Sequence, residues 1–563
     1  MLIEANNGKK QSDVLCYGGE SMKKYVKTII SLFLMLFVMV GCSKNESASL
    51  NSTSEEENVT KEEKVITVAT PDPWVGLCPM SSTTDAQVVF SYPVFDACVT
   101  ASTDGKAEAR LFESWEQSED GTVITCHLNQ NSTWHDGEKV TADDVIFSMM
   151  TMMNPEVPLD ASRSQFFFKF LIGTEADGTY TNVDEVGLKA IDDYTVEFTY
   201  KPENVTTIEN FLFGLRSIFI YPEHLLKDIP AESLLTDAFW ENPVGSGPFK
   251  LDNIVSGERM EYVAFEDYYL GRPEMDRLII RVIPSNNILS AMLAGEVDVT
   301  AYGSLMTLSD YEQAKANSDL VTNEIPGFGN QHILLNNETL DINVRKAIDY
   351  AVDKETIIND LLHGYGRTAI SAIVPENPYR LGDIEGNAYN PEKAKELLTA
   401  AGWDSTRTLR CLTYSTSELG QNIAVLVQQQ LAEVGINIEI ETYDRATISS
   451  KFYDGEYDLG IAQSASNPFE PSESRFYFQL VPNGWLRMTD SSWIELYDEG
   501  AKGLTVEERR PSYDELQRRL VEEVPMVFLF HEDQLFVNSQ RISNIPYEIF
   551  KLRGWKYWEW NVE

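Results

Sequence analysis

The chain has 563 residues, with 88 Asp and Glu against 45 Lys and Arg, which gives a formal net charge of −43. This length exceeds one hydrophobic core and predicts two or three domains, and 43% hydrophobic residues are enough to fill them. So acidic a composition argues against binding to nucleic acid or to an anionic membrane surface.

The first predicted element is an export signal. Residues 22–42 read MKKYVKTIISLFLMLFVMVGC, in which three lysines precede an apolar run that ends at Val40. This pattern is typical of a secretory signal, because a membrane span needs about 20 apolar residues. The end of the run, MVGC, resembles the lipobox of bacterial lipoproteins, in which cleavage leaves a lipid-bearing cysteine, here Cys42. The alternative of a buried core helix is disfavoured by the Ser/Asn/Glu-rich residues that follow, whose composition is that of a flexible tether.

A secretory signal does not account for residues that precede its own basic segment. We therefore expect translation to start at Met22, so that residues 1–21 are not translated. Residues 22–41 would be the signal peptide and residues 42–64 an acidic tether. The Gly-Gly-Glu sequence at 18–20 supports this hypothesis, because its codons can spell a ribosome-binding site.

Strand-like and helix-like stretches alternate beyond the tether, which predicts an α/β or α+β architecture. Short β-branched or alternating segments predict strands at 65–69, 122–128 and 194–200. Thr141 with an acidic residue three positions later predicts the start of one helix. Pro391 and Gly402 predict the first turn and the end of another.

The cysteines and histidines lack the spacing of metal or redox sites. Cys78, Cys98, Cys126 and Cys411 form no C-x-x-C pair, and the six histidines form no H-x-x-x-H or H-E-x-x-H pattern. We expect buried free thiols, no cofactor and no resident metal. Disulfides remain an alternative, because export would permit them.

Several motifs follow one another in the order found in a known family. They are LFESWE at 111–116, WHDGEKVTADDVIFS at 134–148, NPVGSGPFKL at 242–251, AGEVD at 294–298, VRKAIDYAVDK at 344–354 and NPEKAKELLTAAGW at 390–403. From about residue 65 to its end the chain resembles the extracytoplasmic solute-binding proteins of ABC importers, family 5, which includes oligopeptide, dipeptide and nickel binders.

Most of these motifs also have a structural interpretation. Gly245 and Gly247 are typical of a tight turn between strands, and no phosphate-binding pattern accompanies them. Arg345 and Asp353 are eight residues apart, and we expect them on one helix face in structural ion pairs.

The resemblance implies an α/β fold of two lobes, the large class II type of periplasmic binding protein, with an extra subdomain in the first lobe. Lobe I would combine residues 65–94, 222–326 and 535–563, and the extra subdomain would span 95–221. Residues 327–534 would form lobe II. Such lobes close on a ligand like a hinged trap.

The ligand would lie between the lobes, in contact with loops at strand ends. The candidate ligand-binding residues are Ser82, Thr83, Asp85, Tyr302, Phe328, Asp444, Arg445, Ser464, Asn467, Glu470 and Trp485. Core packing is the alternative for the three aromatic residues of this set. A surface ion pair is the alternative for Arg445 beside Asp444.

Asn467 departs from the pattern of the peptide-binding members. At this place, three residues before the acidic residue of a D-P or E-P pair, they carry an aspartate that holds the α-ammonium group of the ligand. An amide accepts a hydrogen bond but does not neutralise a desolvated charge. Either Asp444, Glu470 or Asp85 replaces the anchor, or the ligand has no free ammonium group there.

The resemblance implies a monomeric, lipid-anchored receptor on the outer face of the cell membrane, in a Gram-positive bacterium. It would capture a small solute, an oligopeptide or dipeptide in the first instance, and deliver it to an ABC permease. The alternative ligand is a chelate of nickel or another metal, or another non-peptide solute, and His332 is the histidine nearest the predicted cleft. An enzyme is disfavoured because the chain has no G-x-S-x-G, no Cys-His motif and no metal signature.

Overall fold

The structure is a computed structural model that describes residues 63–74, 78–81, 85–102, 106–159, 167–415, 417–464, 469–550, 552 and 554–563. The predicted signal, Cys42 and the tether lie outside these residues, as do Ser82, Thr83 and Asn467. Asp85 begins a helix, but its side chain is not among those described.

The strands of the described residues are β1 (Val65–Thr70), β2 (Val99–Ala101), β3 (Ala107–Ala109), β4 (Phe112–Gln117), β5 (Val123–Leu128), β6 (Leu188–Asp192), β7 (Thr195–Thr199), β8 (Phe249–Val255), β9 (Arg259–Ala264), β10 (Arg277–Val282), β11 (Val299–Thr300), β12 (Leu320–Ile325), β13 (Asn330–Leu335), β14 (Gly366–Thr368), β15 (Thr408–Thr413), β16 (Asn437–Thr442), β17 (Leu459–Ser464), β18 (Met526–Glu532), β19 (Gln534–Ser539), β20 (Ile542–Ser543) and β21 (Asn561–Val562).

The α-helices of the same residues are α1 (Asp85–Ser91), α2 (Ala142–Met153), α3 (Ile208–Leu215), α4 (Glu223–Leu226), α5 (Ser285–Leu293), α6 (Leu308–Lys315), α7 (Ile342–Ala351), α8 (Lys354–Thr356), α9 (Pro391–Ala400), α10 (Glu418–Glu433), α11 (Arg445–Asp454), α12 (Ser492–Gly500), α13 (Val506–Glu523) and α14 (Tyr547–Phe550).

Three larger sheets organise the chain. The first has the order β12-β19-β11-β1-β10-β9-β8, the second β4-β5-β7-β6, and the third β14-β18-β13-β17-β15-β16. Segments from the start, middle and end of the chain thus share the first sheet, whereas the other two are each built from one continuous stretch. The exact boundaries of the predicted lobes stay a prediction.

The third sheet is buried on both faces. Along β13, Ile333 and Leu335 contribute to one hydrophobic cluster and Leu334 to another on the opposite face. This follows from the alternation of side chains along a strand. A strand covered on both sides reads as a continuous apolar run, as the sequence ILL at 333–335 does.

Local signals placed the predicted helix starts correctly. Thr141 is the N-cap of α2, and its backbone N–H donates to the Asp144 carboxylate at 2.9 Å. α9 begins at Pro391, and Gly402 follows its end at a φ of +64°, a conformation that glycine adopts without strain. The four described cysteines are buried thiols, as predicted.

Gly245 and Gly247 allow two backbone segments to touch. A Cβ on Gly245 would lie 1.9 Å from the carbonyl oxygen of Val94, and the Gly247 N–H donates to that oxygen at 2.8 Å. The motif therefore serves close packing against the segment after α1, just before β8 begins.

The prediction that Arg345 and Asp353 share one helix face is wrong. α7 ends at Ala351, and Asp353 is the N-cap of α8, where it accepts from the Thr356 N–H at 3.0 Å. Arg345 donates instead to the carbonyl oxygens of Glu523 and Val524 at the end of α13. Terminal helix carbonyls lack intrahelical partners, and a guanidinium satisfies them well.

Among the described helices, none is both long enough and apolar enough to cross a membrane.

Candidate functional site

Two chain crossovers connect the first sheet to the third. One runs from β12 to β13 and the other from β18 to β19 through Asp533. They lie against each other, because a Cβ on Gly327 would sit 2.0 Å from the carbonyl oxygen of Glu532. The His531 Nδ1–H also donates to the Gly329 carbonyl at 3.1 Å. This paired crossover has the form of a two-strand hinge.

The strand directions bring the carboxyl-end edges of both sheets to this hinge. In the first sheet β1 is parallel to β10 and β11, and β12 runs the same way because β19 is antiparallel to both β11 and β12. In the third sheet β15 is parallel to β16 and β17, and β13 is antiparallel to β17. The carboxyl ends of the parallel strands therefore lie at the hinge end of each sheet, where α/β proteins bind ligands.

On the first sheet, this edge carries Tyr302 directly after β11. Its hydroxyl donates to the Asp72 carboxylate, which follows β1, at 2.9 Å. The contact ties two neighbouring strand ends together. At the crossover itself, Phe328 packs with Phe213 against the small cluster of Ala101, Ile549 and Leu552.

On the third sheet, the same edge carries Tyr414 after β15, Arg445 after β16 and Ser464 at the end of β17. The Arg445 guanidinium lies 5.4 Å from the centroid of the Tyr414 ring, and no ion pair joins it to the described Asp444. Asp444 caps α11 by accepting from two backbone N–H groups, and the Thr447 hydroxyl holds the pKa of its carboxyl below the usual value. The predicted segments thus meet at one edge of the sheet, although their contact with ligand stays a prediction.

The Ser464 side chain accepts a hydrogen bond from the neighbouring strand β13. The Asn330 side-chain amide donates to its hydroxyl at 3.1 Å, and the Asn330 side-chain oxygen Oδ1 accepts from His332 Nδ1 at 2.8 Å. His332 is fully buried between the rings of Tyr477 and Phe528. It lies on the strand face of Leu334, so it points into a hydrophobic core. No cluster of metal ligands occurs among the described residues.

Acidification is expected to destabilise the protein through its buried histidines. Burial lowers the pKa of His332 to about 3 and that of His531 to about 4. Between those values and about 6.5 the unfolded chain binds protons that the folded chain does not, so stability falls as the pH falls, by up to about 1.4 kcal/mol per pH unit for each group. Urea unfolding between pH 7 and pH 4.5 measures this slope.

The variant His332→Phe is expected to show a shallower pH slope, because it removes one of these titrations. His363→Asn, at an exposed histidine with a φ of +54°, controls for the loss of an imidazole. An unchanged slope in His332→Phe would contradict the assignment.

Glu470 belongs to a buried ion pair. Its side chain is 5% exposed and forms an ion pair with Arg509, which is 1% exposed. Its other oxygen accepts from the Tyr513 hydroxyl at 3.0 Å and from the Ser472 N–H at 3.0 Å. Burial acts to lower the pKa of Arg509, but the Glu470 carboxylate overcomes it and raises that pKa. This geometry argues that Glu470 holds its segment in place rather than contacting ligand.

Trp485 lies in an aromatic cluster. Its ring centroid is 5.1 Å from that of Phe452 and 5.6 Å from that of Phe476, and it packs against the core that contains Phe452. This arrangement agrees with the core-packing alternative, and a contact of Trp485 with ligand stays a prediction.

A pocket lies between the stretch 95–221 and Phe469. Its lining residues are Thr100, Ala101, Lys106, Ala107, Glu209, Leu212, Phe213, Arg216 and Phe469. The rings of Phe213 and Phe469 are 5.5 Å apart. The void measures about 10 Å³, room for about one water molecule.

A second contact closes the same side of the molecule. A Cβ on Gly121, in the turn between β4 and β5, would lie 2.5 Å from Leu504, which precedes α13. Together with the small void at Phe469, this contact shows that the stretch 95–221 touches the part of the chain that carries the third sheet. A solute larger than water would fit this void only if its two sides separated.

Sequence reasoning missed the pocket wall that α3 supplies. Glu209 and Phe213 are four residues apart and so share one helix face. Their helix reads as an ordinary amphipathic helix, because Phe211, Leu212 and Leu215 fill the core beneath it. No local signal marks which of its residues face another lobe.

The hinge and the facing strand edges define a two-lobed solute-binding protein. Residues 106–484 match the family described as bacterial extracellular solute-binding proteins, family 5. The chain belongs to this family, whose members are the substrate-binding components of ABC importers. The resemblance and the fold class inferred from the sequence are confirmed.

Two relatives match nearly the whole chain. Heme-binding protein A of Haemophilus influenzae is 27% identical over 549 residues, which cover 92% of this chain and 96% of the relative. Oligopeptide-binding protein AppA of Bacillus subtilis is 22% identical over 569 residues, with 95% and 99% coverage. Both carry the names of binding proteins rather than enzymes.

A solved structure shares the fold. CtaP, an ABC transporter substrate-binding protein from Listeria monocytogenes, superposes with a TM-score of 0.76 at 22% sequence identity. The match covers 89% of this chain and 100% of CtaP.

Proposed function

We propose that this chain is the lipid-anchored, extracytoplasmic receptor of an ABC importer and that its solute is a short peptide. The observation that carries the proposal is the meeting of two strand edges at a two-strand hinge. One edge presents Tyr302 and the other presents Tyr414, Arg445 and Ser464. Binding in the open form and closure around the solute would produce the form that the permease recognises.

The proposed lobes follow the sheets. Lobe I combines residues 65–94, 222–326 and 535–563, with the extra subdomain at 95–221, and lobe II spans 327–534. The first, second and third sheets support this division, because each proposed unit contains one of them. The protein would act as a monomer, with one solute per pair of lobes.

The pocket offers a carboxylate to a peptide's α-ammonium group. Glu209 is exposed and lines it beside Phe213 and Phe469, and the basic residues Lys106 and Arg216 line the same pocket. Asp444 caps a helix and Glu470 is paired with Arg509, so neither is as available as Glu209. A buried ammonium group needs such a partner to offset its desolvation.

The ligand class is tested on the protein as purified. Native mass spectrometry of residues 43–563, followed by denaturation and identification of the released molecules, is expected to show a ladder of short peptides. A single metal-bearing or tetrapyrrole species in their place would contradict the peptide proposal.

The lipid anchor is tested in cells. Cys42→Ala is expected to move the protein from the membrane fraction to the medium and to abolish incorporation of an alkyne-labelled fatty acid, because a thiol at this position would carry the lipid. Cys78→Ala, at a buried cysteine of the folded part, should remain in the membrane fraction. Fatty-acid labelling that persists in Cys42→Ala would overturn the proposed lipidation site.

A further inference from the structure

Tyr365 joins the third sheet to the packing unit of the first sheet at a point outside the two crossovers. It directly precedes β14, the edge strand of the third sheet, yet its side chain is buried in the hydrophobic cluster of the first sheet. Its ring centroid lies 5.4 Å from that of Tyr311, a buried residue of α6, in an edge-to-face arrangement that favours aromatic pairs. The ring therefore occupies a socket that the other sheet's unit supplies.

Two hydrogen bonds fix the Tyr365 hydroxyl in this socket. The hydroxyl donates to the Glu312 carboxylate, and the Lys315 ammonium group donates to the hydroxyl at 3.2 Å. Glu312 and Lys315 are three residues apart on α6, and Lys315 also pairs with Glu324 of β12 at 2.7 Å. Both bonds involve a charged partner, which makes them stronger than bonds between neutral groups. We call these contacts between Tyr365 and α6 the Tyr365 tie.

The backbone around Tyr365 is bound to both crossovers. The Tyr365 carbonyl oxygen accepts from the Asp533 N–H at 3.3 Å, and β14 pairs with β18 just before that crossover. The Arg367 guanidinium donates to the Gly327 carbonyl oxygen in the other crossover at 3.3 Å. This segment is thus attached to the hinge, while the Tyr365 side chain is held by α6. A change in the angle between the two sheets must therefore act on the tie.

The tie lies at the outer edges of the two sheets. β12, which follows α6, is the edge strand of the first sheet, and β14 is the edge strand of the third. The strands that end next to the candidate ligand contacts Tyr302, Tyr414 and Ser464 lie further inside the sheets, beyond β19 and β18. Tyr365 is therefore placed to act on the hinge rather than on the solute.

The lobe angle that forms the tie also brings residues 95–221 against the part of the chain that carries the third sheet. The ring centroids of Phe213 and Phe469 are 5.5 Å apart, and the turn at Gly121 meets Leu504. Because a hydrogen bond weakens steeply when its length or angle changes, the bonds of the Tyr365 hydroxyl favour this angle over a rotated one. The tie and these contacts thus stabilise the same arrangement.

We propose that Tyr365 is a positioning residue for closure and that its bonds to Glu312 and Lys315 hold the lobe angle at which a captured solute is enclosed. This inference rests on the proposed function and adds to it a hinge contact that sets how fast the solute escapes. Without the tie the lobes would separate more often, so that dissociation becomes faster while the contacts with the solute remain.

The test uses Tyr365→Phe, which keeps the ring in its socket and removes both hydrogen bonds. Tyr389→Phe is the matched control, because it removes the same hydroxyl from an exposed tyrosine. Glu312→Gln weakens the tie from the side of α6, at an exposed residue, and decides the question if Tyr365→Phe fails to fold. Combining it with Tyr365→Phe should add little, because both substitutions break the same bond.

Spin labels report the lobe angle in residues 43–563. They are attached to cysteines introduced by Glu119→Cys and Lys502→Cys, at exposed residues beside the contact of Gly121 with Leu504. The four native cysteines of the described residues are buried. Pulsed electron double resonance gives the label distances after removal of co-purified molecules, first without solute and then with a mixed-sequence library of peptides of two to eight residues.

Tyr365→Phe is expected to lower the population at short label distance, relative to that at long distance, about 3- to 10-fold in the protein without peptide. This factor is the usual worth of one hydrogen bond. Tyr389→Phe should match wild type. Dilution of protein loaded with a fluorescently labelled library should show dissociation faster by the same factor in Tyr365→Phe, at an unchanged association rate, a split that a general loss of stability would not produce.

The outcomes separate this inference from the proposed function. Equal label distances in wild type and Tyr365→Phe without peptide would overturn the role of Tyr365, whatever the solute. A wild-type protein whose label distances do not respond to the peptide library, and which retains none of it, would overturn peptide capture. The distances without peptide would still decide for or against the tie.

Discussion

Glu470→Gln is expected to lower the free energy of unfolding by about 3–5 kcal/mol, the usual cost of leaving one member of a buried ion pair without its partner. The substitution preserves the size of the side chain but leaves the Arg509 guanidinium, 1% exposed, without its counter-charge. Arg509 would keep its bonds to the Gly500 carbonyl and to the Tyr513 hydroxyl, which do not neutralise it. Urea unfolding at pH 7 measures the loss.

Two controls identify the cause. Glu396→Gln removes the same charge from an exposed pair with Lys393 and is expected to cost no more than about 1 kcal/mol. The double variant Glu470→Leu with Arg509→Met is expected to recover most of the stability, since it removes both buried charges. A cost for Glu470→Gln as small as that of Glu396→Gln would show that the buried pair does not support the fold.

The same pair is expected to matter for binding. Phe469 precedes Glu470 and lies opposite Phe213 in the wall of the pocket. If Glu470 anchors this segment without touching ligand, the double variant should keep solute affinity along with stability. A stable double variant that has lost binding would instead assign a direct ligand contact to Glu470.

Gly327→Ala is expected to weaken solute binding about tenfold or more, equivalent to about 1.4 kcal/mol or more of closure free energy. The new Cβ would lie 2.0 Å from the Glu532 carbonyl oxygen, closer than any real Cβ contact, so the two crossovers would have to move apart. The closed arrangement depends on these crossovers, because both connections between the first and third sheets pass through them. Isothermal titration with the peptides recovered from the purified protein gives the affinity.

Small-angle X-ray scattering shows whether closure is what changes. Wild type with solute is expected to be more compact than Gly327→Ala with solute. Gly382→Ala is the matched control, because a Cβ there would meet nothing within 4 Å. Wild-type affinity and compaction in Gly327→Ala would remove this glycine from the hinge mechanism.

Features with local causes were predictable from the sequence. The strand at the start of the folded part, the helix start at Thr141 and the helix from Pro391 to the turn at Gly402 each depend on residues within a few positions. The family and its two-lobed fold were equally predictable, because ordered motifs along most of the chain carried the resemblance. The four buried thiols followed from cysteines without paired spacing.

The same local reasoning failed at Arg345. Eight residues separate it from Asp353, which fits one helix face, but the chain ends α7 at Ala351 and starts a new helix. One partner of Arg345 is the nearby Leu340 carbonyl, but the other two are backbone carbonyls 178 and 179 residues away in sequence. Nothing near Arg345 in the sequence marks them.

The sequence by itself determined the family, three of the strands and two of the helix starts, because these follow from short-range patterns and ordered motifs. Only the tertiary structure decided which side chains are available there. It paired Glu470 with Arg509, buried His332 in a hydrophobic core and brought Glu209 on α3 to the pocket. The availability of a charged group depends on its neighbours in space, and long-range folding sets those neighbours.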